Sequence, residues 1–302
     1  MIDTIRKRGR LVVAVMLAAM LALTSIIIGG CASGGGDTKA SVIKIGYVPW
    51  DEDIAASYLW KQVLEEEGYS VELTQLDVAP VFQGVSSGDL DLFLDVWLPD
   101  VHADYWAQYS DSLEDLGPWY YDVLTTWAVP EYVDIDSIED LVGRENEFDG
   151  RVVGIEPGAG LMRLSRENVL PDYGLEGYEV LEGSTSTMLA ELGRSIKDEE
   201  PIIVTLWHPH WAYSVFPIKD LEDPKGSLGA KGEIRSVARP GFTEEFADVA
   251  KWISTFEMND EQLGSLEDIM MNKYSAGEEE KAVEEWLSDE NNRSLVNSWL
   301  GK

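Results

Sequence analysis

Residues 42–67 read Val-Ile-Lys-Ile-Gly-Tyr-Val-Pro-Trp-Asp-Glu-Asp-Ile-Ala-Ala-Ser-Tyr-Leu-Trp-Lys-Gln-Val-Leu-Glu-Glu-Glu. Val42–Val48 is short and β-branched, which predicts a strand, and Asp53–Glu67 carries the residue types of a helix. Asp51, Glu52 and Asp53 stand at the start of that helix, where its dipole welcomes acids. The strand-to-helix pattern recurs in Val71–Leu76, a short helix around Val81–Val85 and the strand Asp89–Trp97. A second series follows: strand Arg151–Ile155, helix Leu161–Val169, strand Tyr178–Leu181, helix Ser186–Lys197 and strand Pro201–Trp207. Strands alternating with helices of this length predict an α/β fold with largely parallel sheets, and two such series predict two similar lobes with a cleft between them.

Between the series, Trp119–Val129 reads as a strand, Val133–Leu141 as a short helix and Arg144–Asp149 as a charged loop. Phe216–Gly241 is punctuated by Pro and Gly, and Thr243–Leu300 reads as packing helices with apolar residues at helical spacing. The expected division is residues 41–128 with 235–302 as the first lobe and 129–234 as the second.

The first thirty residues differ from the rest. Arg6, Lys7, Arg8 and Arg10 precede an apolar run from Leu11 to Gly30, the layout of a secretory signal. An uncleaved anchor of similar length is the alternative. Ile28-Gly29-Gly30-Cys31 resembles the lipobox of bacterial lipoproteins, which implies lipidation of Cys31, the only cysteine in the chain. Residues 31–40 then form a flexible leash, and either reading tethers the chain to the outer face of a membrane.

Formal charge is −33, from 23 basic and 56 acidic residues. Without residues 1–30 the balance is 19 against 55, or −36. Such a surface repels nucleic acid and anionic headgroups, which excludes both as partners, and it suits a salty exterior.

Four predicted strand ends carry the functional signal. Val42–Val48 runs into Trp50, Leu90–Val96 into Trp97, and Pro201–Leu206 into Trp207, while Arg151–Ile155 runs into Glu156-Pro-Gly-Ala-Gly160 and a helix. Ligands of open α/β sheets gather at the carboxyl ends of strands, so three indoles and one glycine-rich helix start should converge. Indole faces attract a cation, with about 2 kcal/mol or more in a dry site. The N–H groups of Gly160 and Leu161 would hold an anion at the helix start. A small zwitterion matches both ends. With 11 tryptophans in the chain, some also pack in cores.

The stretches Gly46-Tyr-Val-Pro-Trp-Asp-Glu-Asp-Ile-Ala, Asp95-Val-Trp-Leu-Pro-Asp-Val-His, Gly154-Ile-Glu-Pro-Gly-Ala-Gly-Leu-Met and Thr205-Leu-Trp-His-Pro-His-Trp resemble those of the glycine betaine-binding proteins of ABC transporters, the OpuAC-like family. The resemblance covers nearly all of residues 43–300. It implies a type II-like periplasmic-binding-protein fold, a prism of Trp50, Trp97 and Trp207 around a trimethylammonium group, and a carboxylate held by Gly160, Leu161 and His102. It also implies an ABC permease as partner, a monomer, no enzymatic activity and no cofactor.

Outside that context His102 reads as a solvent-facing helix residue. His208 and His210 flank Pro209 without a third ligand at zinc spacing, so no metal is expected, and His210 with Trp211 reads as a brace for the Trp207 loop. Ser184-Thr-Ser-Thr187 reads as a helix cap. The alternatives are another betaine, carnitine or choline as ligand, a secreted hydrolase using the histidines, and a purely structural surface lipoprotein. No nucleophile elbow or phosphate loop supports the hydrolase.

Overall fold

The computed structural model describes residues 42–302. The expected signal segment 1–30, the leash 31–40 and Cys31 lie outside the described residues. Among those described, no helix is long and apolar enough to cross a membrane.

Two sheets share one long strand. Strands β1 (Val42–Tyr47), β2 (Ser70–Gln75) and β3 (Leu92–Leu98) are parallel, with β1 in the middle. Strand β4 (Glu114–Pro130) pairs antiparallel with β9 (Gly232–Ala238), which pairs antiparallel with β3. The order is therefore β2-β1-β3-β9-β4.

The second sheet repeats that plan. Strands β5 (Arg151–Val153), β6 (Glu179–Leu181) and β7 (Val204–His208) are parallel around β5. The far end of β4 pairs antiparallel with β7 and, on its other side, with β8 (Ile218–Asp220). The α/β, two-lobed expectation is met, with the same strand plan on each side. The expected division puts the two crossings at residues 128–129 and 234–235. Strand pairing alone would move each crossing by a few residues, to after Val123 and before Gly232.

The helices follow from the local sequence. Helix α1 (Asp51–Glu66) begins directly after Trp50 with three acids in its first turn. Helix α2 (Val78–Ser87) ends at Gly88 in the left-handed conformation. Helix α3 (Ala103–Tyr109) starts after His102, and α4 (Gly160–Leu164) continues through a π-turn at Ser165–Val169 into Leu170–Tyr173. Helix α5 (Thr185–Asp198) is capped by Ser184, whose hydroxyl accepts from Thr187 N–H at 3.2 Å, as its sequence predicts. The C-terminal segment contributes α6 (Ala247–Ile253), α7 (Asp260–Asp268), α8 (Glu279–Leu287) and α9 (Glu290–Trp299).

The first lobe's core is aromatic. Trp119 stacks on Phe256 at 4.6 Å, and Trp60 meets the same ring edge-on at 5.5 Å. The Pro/Gly-punctuated segment 216–241 contains two strands that the sequence reading did not single out, β8 and β9. At Gly232 an added Cβ would overlap the Leu98 carbonyl, so glycine is what lets β9 lie against the end of β3.

Candidate functional site

The carboxyl ends of β1, β3, β5 and β7 border one cleft with about 280 Å³ of empty space, its solvent-facing mouth included. Trp50, Trp97, Trp207, Gly160 and Leu161 all border it, together with Glu52. Thus five of the six residues expected to act together are brought together. Trp50 and Trp207 come from opposite lobes, with ring centroids 6.5 Å apart and planes at 58°. Each of the three indoles is buried, at most 6% exposed, yet each borders an empty space.

The indole N–H groups separate these tryptophans from the others. Among core tryptophans, Trp119 donates to the Leu94 carbonyl, Trp127 to Ser165 Oγ and Trp286 to Ser265 Oγ. Around the cleft the acceptors are carboxylates. Trp50 Nε1 donates to Glu156 Oε2 at 3.2 Å, Trp97 Nε1 to Asp95 Oδ1 at 2.8 Å, Trp207 Nε1 to Glu52 Oε2 at 3.0 Å, and Trp211 Nε1 to Asp51 Oδ2 at 2.6 Å. Glu156 is itself fixed by the N–H and hydroxyl of Thr185 at 2.9 Å. Each indole N–H is thus satisfied by a carboxyl oxygen, which fixes the orientation of its ring.

The helix-dipole reading of Asp51, Glu52 and Asp53 therefore gives only half of their role. All three lie in the first turn of α1 and all three are buried. Asp53 accepts from Val48 N–H at 2.7 Å, closing the turn that aims Trp50, and from Ser57 Oγ at 3.1 Å. Burial pushes the Asp51 carboxyl up to about 6, against the opposing pull of its Trp211 bond. Burial likewise raises Glu52, Asp53 and Asp95, each helped by a neighbouring acid.

His102 is not solvent-facing. It is fully buried behind the cavity wall, with its ring stacked on Trp50 at 5.7 Å and 20°. Its Nδ1 accepts the Trp97 backbone N–H at 3.0 Å, which places the remaining ring proton on Nε2. Burial first, and the charge of Arg163 second, push its pKa down to about 3, so the ring is neutral. Nε2 has no partner among the described residues. His102 does not line the cavity; it is buried beside Trp50, which does.

Gly160 and Leu161 begin α4, and neither backbone N–H meets an acceptor among the described residues. Gly160 packs so closely under Val101 that an added Cβ would overlap the Val101 carbonyl. More bonds cross the cleft nearby. Tyr105 donates its hydroxyl to the Gly158 carbonyl at 2.9 Å, and Arg163 reaches the Asp100 carbonyl at 2.9 Å and Asp104 at 3.0 Å.

His210 meets the face of Trp207 edge-on at 4.7 Å, accepts from Ala212 N–H at 3.0 Å through Nδ1, and sets Nε2 3.1 Å from Asp51. It braces Trp207, as expected. His208 instead bonds Asp220 at 2.7 Å and stacks on Tyr213. Among the described residues no group of three His, Cys, Asp or Glu side chains is placed to hold a metal.

Residues 41–289 match the family described as the substrate binding domain of the ABC-type glycine betaine transport system, OpuAC. Among curated proteins, the glycine betaine/carnitine transport binding protein GbuC of Listeria monocytogenes is 31% identical over 150 residues, 49% of this chain and 48% of that protein. The chain thus spans about half the length of that relative. Lactococcal OpuAC, solved closed with glycine betaine, superposes with a TM-score of 0.80 at 30% identity, over 86% of this chain and 99% of that one. ProX from Borrelia burgdorferi, a glycine betaine/L-proline-binding protein, superposes with a TM-score of 0.80 at 33% identity, over 85% and 96%.

Proposed function

The chain belongs to the family of substrate-binding domains of ABC-type glycine betaine transport systems, and from that premise we propose that it captures glycine betaine outside the cytoplasm and hands it to an ABC permease. One observation carries the ligand assignment: Trp50, Trp97 and Trp207, from three separate segments, border the same cavity as the unpartnered amides of Gly160 and Leu161. The indole faces take the trimethylammonium group, which offers no ordinary hydrogen-bond donor and is bound through its charge and apolar surface. The two amides and the His102 Nε2–H take the carboxylate, satisfying donors that otherwise stay unpaired.

The unpartnered amides favour a ligand that carries a carboxylate, such as a betaine or carnitine, over choline. Lobe closure excludes water and strengthens each contact. In this reading Cys31 carries the lipid tether, the chain works as a monomer without cofactor or catalysis, and its charge balance is an adaptation to a salty exterior. Titration with glycine betaine in high salt tests the assignment. Saturable heat and a drop in tryptophan accessibility are expected, and unchanged calorimetry and fluorescence would overturn it.

A further inference from the structure

Three acids hold the three indole N–H groups, but they are not equivalent. Asp95 and Glu156 sit behind their tryptophans, whereas Glu52 also borders the cavity itself. It is 1% exposed, one oxygen accepts from Trp207 Nε1, and the other, Oε1, has no donor among the described residues. No lysine, arginine or histidine pairs with it among the described residues, and the charges around it have its own sign. Asp51 and Asp53 lie on the same helix, Asp95 on β3 and Glu267 on α7, and what opposes them is uncharged: the Glu52 backbone N–H and the Trp207 N–H from β7. A buried carboxylate without a counter-charge is costly, and such groups are retained where a cation completes them.

Resting on the cage assignment above, we propose that Glu52 is a specificity-determining residue, supplying the negative charge that makes the cavity choose a cationic head group over a neutral one of the same shape. The indole faces already favour the cation through cation–π attraction, and a buried carboxyl group beside them adds a second, stronger reading of charge. A tert-butyl group fills the volume of a trimethylammonium group and gains the same dispersion and apolar burial. Charge is the only difference between the two; the indole faces read it through their quadrupoles, and Glu52 is the one ionisable side chain lining the cavity that adds to them. Burial and the neighbouring acids raise its pKa in the empty cavity, and a cation beside it works in the opposite direction and favours the carboxylate form.

The test compares glycine betaine with 3,3-dimethylbutanoate, its neutral-headed isostere, by calorimetry on the wild type, Glu52→Gln and Glu52→Asp. The glutamine keeps a carbonyl oxygen for Trp207 Nε1 while removing the charge. Glu52→Gln should bind glycine betaine about ten-fold or more weakly while binding the isostere as well as the wild type or better, so that the selectivity ratio falls by at least that factor, leaving what the indoles supply. Glu52→Asp, which keeps the charge on a shorter arm, should lose affinity for both ligands and keep most of the ratio. Equal weakening of both ligands in Glu52→Gln would reduce Glu52 to a support for Trp207 and overturn the proposal, as would collapse of the ratio in Glu52→Asp. A wild type that binds neither compound overturns the cage assignment itself, a result distinct from a wild type that binds betaine with a ratio indifferent to residue 52.

Discussion

Gly160→Ala adds one methyl group where the start of α4 packs against the Val101 carbonyl. The new Cβ would overlap the carbonyl of Val101, a backbone atom that cannot swing aside as a side chain would. Relief therefore requires either that α4 withdraw from Val101 or that the lobes stay partly open, and both pull the Gly160 and Leu161 amides away from the cavity. Overpacking of this kind costs about 1–3 kcal/mol. Because the cost falls only on the closed form, it should appear as about a 5- to 150-fold loss of betaine affinity. The ligand-free thermal midpoint should stay near that of the wild type, since an opened cleft removes the overlap. Calorimetry gives the affinity, and small-angle scattering with and without ligand reports whether the closed form is reached. Unchanged affinity in a variant that still closes would refute the placement of Gly160 against Val101 and, with it, the carboxylate end of the site.

Two further outcomes follow from the same geometry. Trp97→Ala should weaken glycine betaine binding by a few kcal/mol at most, since each indole contributes about 2 kcal/mol of the cage, and calorimetry reads the loss directly. It should also lower the thermal midpoint, because Asp95, fully buried, loses the Trp97 Nε1 donor and its other oxygen already has no partner. The pH dependence of stability should carry the mark of His102, whose pKa drops from 6.5 to about 3 on folding. Between those values the unfolded chain binds the extra proton, so stability falls as pH drops through that window, by about 3 kcal/mol for this ring by pH 4. Asp51, raised from 3.8 to about 6, works in the opposite sense over part of the range, so the difference between wild type and His102→Gln in denaturant titrations is what isolates the effect. Equal slopes in the two proteins would count against a neutral His102.

The cavity walls were legible in the sequence because they are set by local pattern. A strand-length apolar run has its carboxyl end at a fixed place in a parallel sheet, so Trp50, Trp97, Trp207 and the Gly160 turn could be placed near one another without knowing how the lobes pack. What supports the walls was not legible, because each supporting contact spans the chain. Glu52 meets Trp207 across 155 positions and Asp51 meets Trp211 across 160, and nothing near either acid distinguishes it from an ordinary acid in the first turn of a helix. Strand β9 was lost for the same reason: its partners β3 and β4 lie far upstream, and Pro and Gly around it resemble a loop. The division is physical. Side chains that touch ligand sit where backbone periodicity puts them, whereas the carboxylates that orient those side chains are chosen by the tertiary fold. Glu52 belongs to both sets, bordering the cavity and bridging the lobes through Trp207, which is why the charge balance of the site turns on a residue that the sequence presents as a helix-start acid.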